Sequence, residues 1–172
     1  MSKNKKIITI VLLIIISIVL FFIFSYLLKE PNEDYNNENI IGNSYLANDN
    51  SYLVLNKDKT FYWYKDKDNK EEYYYGIYTV YRGENAIKFI TSDLAIYDIS
   101  EKEQRDAINN SSIPNAIDHY YLINLNNEKS FINGKEEKMF KETRYYGFAT
   151  EDYKELDFVN IDANNYAIFI LE

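Results

Sequence analysis

From Ile7 to Leu28 the chain carries no charge for 22 residues, and 18 of these are Ile, Leu, Val or Phe. Lys3, Lys5 and Lys6 precede the run, and Lys29, Glu30 and Pro31 close it. As a helix rising ~1.5 Å per residue it reaches about 33 Å, enough to cross a hydrocarbon core of about 30 Å. Insertion of that many apolar side chains gains on the order of 5–10 kcal/mol. A cleaved signal peptide has a shorter apolar region of ~7–15 residues and a small-x-small exit. Here the exit reads Phe24-Ser25-Tyr26-Leu27-Leu28. The expectation is an uncleaved signal-anchor in the cell membrane, single-pass, with a cytoplasmic N-terminus set by the three lysines.

That expectation divides the chain into a cytoplasmic stretch 1–6, a transmembrane helix 7–28, a flexible linker 29–40 and an extracytoplasmic domain 41–172. The linker is expected because Pro31 to Asn39 is polar and lacks an apolar period. Some 130 residues then remain, enough for one core. All 27 acidic residues follow the apolar run, whereas three of the 19 basic ones precede it. An acidic domain of this kind is repelled by anionic headgroups and lacks the basic surplus that nucleic-acid binding needs. With no cysteine in the chain, a disulfide framework, a thiolate metal site and a cysteine nucleophile are all excluded.

Most of the outer portion alternates with period two. Ser51 to Leu55 and Thr60 to Tyr64 flank the polar turn Asn56-Lys57-Asp58-Lys59, a hairpin pattern. Phe61 and Trp63 fall on one face of the second strand, Tyr62 and Tyr64 on the other. A charged turn from Asp66 to Glu72 leads into a strand from Tyr73 to Tyr81, in which Gly76 predicts a bulge or a close backbone approach. Ile87, Ile90 and Leu94 recur at helical spacing, and Ser100 with Glu103 forms a capping box opening a helix to about Asn110. Strands are predicted again at His119–Leu125, Ser130–Asn133, Tyr145–Ala149, Glu155–Ile161 and Tyr166–Leu171. The last is apolar on both faces, a hazard at an open edge that closure of the sheet removes.

Gly42-Asn43-Ser44-Tyr45, then Leu53-Val54-Leu55 with Asp58-Lys59-Thr60-Phe61, then Gly76-Ile77-Tyr78 resembles the opening of small lipocalin-like, calycin-type barrels. Leu156 to Asn160 and Tyr166 to Phe169 are similar to their late strands. The tryptophan of the family's Gly-x-Trp motif is absent here, and helices are inserted between the fourth and fifth strands. The resemblance implies a barrel that encloses something small. The fold class expected is therefore mainly β: an antiparallel lipocalin-like barrel with one or two short inserted helices, preceded by a transmembrane helix.

Candidate chemistry is sparse. His119 is the only histidine, no Gly-x-Ser-x-Gly elbow accompanies it, and its reading is a half-exposed strand residue. The Asp66–Glu72 stretch has a lysine where a calcium loop needs a third oxygen ligand, so it reads as a solvated turn. No metal or cofactor is implied. The aromatic residues of the second hairpin are the remaining signal: Tyr62, Trp63, Tyr64, Tyr74 and Tyr78 are the candidate residues for a ligand or partner, since outward tyrosines stack on sugars or anchor proteins. The functional expectation is non-catalytic binding of a protein, peptide or small ligand at the cell envelope. The second reading is a membrane-anchored hydrolase of wall or glycan substrates, which requires two facing carboxylates.

Overall fold

The computed structural model describes residues 15–21, 37, 39–93 and 100–172. The chain divides into two units, 1–30 and 31–172. Of the first unit, residues 15–21 are described and form a helical segment with every residue exposed. The rest of the predicted membrane span lies outside the described residues, and no described helix is long and apolar enough to cross a membrane. Most of the predicted linker lies outside them as well. From its end, Asn37 accepts backbone hydrogen bonds from Ile40 and Ile41, and Ile40 is fully buried.

The second unit is built on eight strands: β1 (Ser44–Ala47), β2 (Tyr52–Leu55), β3 (Thr60–Tyr64), β4 (Tyr73–Arg82), β5 (Tyr120–Ile132), β6 (Lys135–Ala149), β7 (Glu155–Asn160) and β8 (Asn165–Leu171). Each pairs antiparallel with its neighbours in chain order, and β1 pairs with β8 through Leu46 and Ile170 to close a barrel. The closed eight-stranded antiparallel barrel is compatible with the lipocalin-like architecture that the resemblance implied. The apolar last strand is thereby paired on both sides, by β7 and β1. Turn chemistry matches the sequence at several corners. Asp58 accepts from the backbone and hydroxyl of Thr60 across the β2–β3 turn, and Asp66 accepts from the N–H groups of Asp68 and Asn69. Those bonds hold both exposed carboxyls below their ordinary range.

Alternation sorts the side chains. Tyr45, Leu53, Leu55, Phe61, Tyr78, Val80, Tyr121, Ile123, Leu125, Phe158 and Phe169 point inward and fill the barrel. The interior is thus a packed core. Burial pushes the phenols of Tyr45 and Tyr121 up to about 12. A second apolar layer lies outside. Helices α1 (Glu84–Asp93) and α2 (Glu101–Asn109), inserted between β4 and β5, cover the outer face of the sheet. Their Ile87, Ile90 and Ile108 pack with Tyr120 and Leu122 of β5. This explains the unbroken apolar run at the start of β5: one face meets the barrel core and the other meets the helices.

The capping box is present as read: Ser100 accepts from the N–H of Glu103, and the Glu103 carboxylate accepts from the N–H of Ser100. Such a cap contributes about 1 kcal/mol. Arg105 joins the two helices by a bidentate bridge to Glu84 and a third bond to Glu101. Three boundaries differ from the sequence reading. His119 belongs to a 3-10 turn, Ala116–His119, and stacks on Tyr153 at 5.0 Å, so it is not a strand residue. The separate short strand predicted at Ser130–Asn133 is the continuation of β5. β6 starts ten residues before the predicted Tyr145, at Lys135; its first half is charged on both faces and carries no apolar alternation.

Candidate functional site

The β5–β6 hairpin and the β3–β4 turn shape one end of the barrel, where β4 pairs with β5 as far as Phe131 and β6 runs past the end of β7. The hairpin tip is the dipeptide Asn133-Gly134, both with positive φ, 53° and 72°. That is the backbone a two-residue hairpin turn needs. The carboxylate of Glu72, in the β3–β4 turn, accepts from the N–H of Asn133 at 2.7 Å and from Lys65 at 3.0 Å. These two bonds tie the hairpin tip to the neighbouring turn and hold the Glu72 carboxyl below its usual value.

Between these walls lies a cavity of about 240 Å³ lined by Trp63, Tyr74, Leu125, Asn127, Met139, Lys141, Thr143 and Tyr145. A second hollow of about 440 Å³ shares Tyr74 and Met139 with it and runs up the hairpin past Ser130, Ile132, Lys135 and Glu137. Trp63 forms the aromatic floor, 5.5 Å from Tyr145 and 5.7 Å from Phe169 by ring centroids. Asn160 donates to the Tyr145 hydroxyl at 3.0 Å, fixing that ring, and burial raises its phenol above the ordinary value. Asn127, itself buried, donates to the Lys141 carbonyl at 2.8 Å and holds β5 to β6 beside a register shift. The groove therefore combines an aromatic and aliphatic floor with a rim of Lys141, Thr143 and Lys135. Glu137 is the one carboxylate among its lining residues.

The five sequence-predicted residues separate by the parity of their strands. Trp63 and Tyr74 point into the groove. Tyr78 also points inward but is 1% exposed, and its hydroxyl donates to the Asn56 carbonyl at 2.7 Å, which makes it core. Tyr62 and Tyr64 lie on the outer face, stacked on each other at 5.7 Å and met edge-on by Tyr73 at 5.5 and 6.0 Å. Lys70 stands 5.3 Å over Tyr64 and Lys129 5.3 Å over Tyr75, so cations cover part of this aromatic face. Of the lining residues missed from the sequence, Leu125 and Asn127 sit on β5 and Tyr145 on the recognised end of β6, while Met139, Lys141 and Thr143 sit on the unrecognised half of β6. The signal that could have found these last three is Asn133-Gly134, a strong short-range hairpin marker. His119 is not among the groove-lining residues, and its Nδ1 is buried.

No family model matches the chain, and neither a curated protein nor a solved structure does.

Proposed function

We propose that the protein is a non-catalytic binding module, lipocalin-like in fold, tethered to the outer side of a cell membrane by the apolar segment 7–28. Its ligand is a small amphiphile held in the groove at the barrel mouth. One observation carries this reading: the barrel interior is packed with side chains, while the mouth keeps an aromatic-floored hollow with a lysine rim. Concave, mostly apolar sites with a few placed polar groups are what small ligands occupy. The apolar part of the ligand lies against Trp63, Met139 and Tyr145, and an anionic end faces Lys141. A hydrolase of the two-carboxylate kind has no support in this groove, which is lined by Glu137 alone among acids. The apolar run and its flanking lysines support the tether and its orientation.

Trp63 is the only tryptophan in the chain, so its emission reports on the groove alone. A medium-chain fatty acid tipped with bromine, titrated into the full chain in lipid vesicles, is expected to quench Trp63 saturably. Met139→Arg, which places a charged chain in the groove, is expected to abolish the saturable part and leave the circular dichroism spectrum unchanged. Absence of quenching, or equal quenching in both proteins, overturns the reading.

A further inference from the structure

β6 is 15 residues long, but β7 pairs with only its last part, Tyr145–Ala149. Over Lys135–Thr143 it has β5 on one side and, among the described residues, no strand on the other. The direction of its free backbone groups follows from Arg144, whose N–H donates to Asp162 and whose carbonyl accepts from the N–H of Ile161, both away from β5. By strand alternation, Glu142, Phe140 and Lys138 aim their N–H and C=O groups at the same open side. The side chains alternate too. Lys135, Glu137, Met139, Lys141 and Thr143 line the groove, so Glu136, Lys138, Phe140 and Glu142 face outward. Phe140 is 96% exposed, the most exposed large apolar side chain described. An open edge with an apolar centre is a template for strand addition, and its charges decide which strand fits.

We propose that this edge is a homodimer interface, in which a second copy of the chain adds its own β6 antiparallel and centred on Phe140. The outward pattern is self-complementary. In that register Phe140 opposes Phe140, and Lys138 opposes Glu142 of the second copy, twice by symmetry. Slipping two residues one way sets Glu136 against Glu142, like charges that are unfavourable in directly facing pairs. Slipping two the other way runs the second strand onto Arg144, whose N–H and C=O are already taken by Asp162 and Ile161. An isologous two-fold contact of this kind closes at two copies and does not propagate. It also places Met139 of one copy opposite Lys141 of the other on the groove side, so the two barrel mouths share one continuous sheet. A ladder this short buries less than the ~1,200 Å² of stable complexes, so the dimer is weak and forms with rising concentration.

The test uses the full chain in nonionic detergent. Because the chain has no cysteine, Phe140→Cys supplies a single thiol on the symmetry axis. Mild oxidation is expected to give a disulfide-linked dimer, which Ile170→Cys, at an outward and half-exposed position on β8, does not give. In sedimentation, Lys138→Glu and Glu142→Lys are each expected to weaken dimerisation about tenfold, and the double swap to restore it. A chain that stays monomeric at all concentrations overturns the proposal. So do a dimer indifferent to the charge reversals, a double swap that does not restore it, or equal crosslinking at both cysteine positions.

Discussion

Gly76→Ala is expected to cost about 3 kcal/mol and to lower the melting temperature by roughly 10 °C. Gly76 sits where the β4–β5 register shifts, between Tyr75 and Gly76, and the strand turns round the barrel. A Cβ at this position would lie 1.9 Å from the Asn126 carbonyl oxygen, 2.9 Å from its carbon and 3.0 Å from Cε1 of Phe61. The first two are backbone atoms in the paired strand, so no rotamer change relieves the clash. β4 and β5 must separate, and with them the ladder that carries both the core and the helix layer. Gly134→Ala is the internal control. Its φ is 72°, but nothing lies within 4 Å of the added carbon, so only backbone strain of about 1 kcal/mol is expected. Thermal unfolding followed by circular dichroism compares the two. Equal losses would mean that backbone conformation, and not strand proximity, governs Gly76.

Phe169→Ala is expected to destabilise by about 3–5 kcal/mol, the range for emptying a buried aromatic site. Phe169 is fully buried and meets Trp63, Tyr145 and Phe158 at ring-centroid distances of 5.7, 5.5 and 6.3 Å, all near edge-to-face. It is the support beneath the groove floor, so its loss is transmitted to the site. Trp63 emission is expected to shift to the red as water reaches the ring from below. Phe169→Leu keeps most of the volume and is expected to cost less than about 1.5 kcal/mol with little spectral change. A large loss of stability with unaltered Trp63 emission would separate the groove floor from the core, contrary to the contacts described.

How far the fold could be read from the residues depended on whether one strand face met solvent. Thr60–Tyr64 and Tyr73–Tyr81 were legible as strands from their aromatic and β-branched residues, and Phe61 and Trp63 as sharing one face; that Tyr74 and Tyr78 share it follows from the β3–β4 register, which pairs Trp63 with Tyr74. Gly76 was legible because a strand glycine signals close approach, and Ser100 with Glu103 because a cap is a local device. The start of β5 was legible as a strand, but its two buried faces require the helix layer, which is a tertiary fact. The first half of β6 was not legible. Lys135 to Thr143 has no apolar alternation, because one face lines a lysine-rimmed groove and the other is open. Its strand character comes from pairing with β5 beyond the Asn133-Gly134 turn. Three of the eight residues that line the cavity, Met139, Lys141 and Thr143, were lost with it. Strand parity divides the five candidate aromatic residues: Trp63 and Tyr74 line the groove, Tyr78 is in the core, and Tyr62 with Tyr64 lies outside.

The proposed ligand site is the mouth of a filled barrel. Photocrosslinking tests it most directly: a medium-chain fatty acid bearing a diazirine at its tail, activated with the full chain in vesicles, followed by mapping of the labelled peptides. Label on Trp63, Tyr74 and the Met139–Tyr145 stretch, competed away by unlabelled fatty acid, is the predicted result. Label on interior residues such as Tyr45 and Phe158, on the outer Tyr62–Tyr64 face, or on the 7–28 segment alone would contradict it.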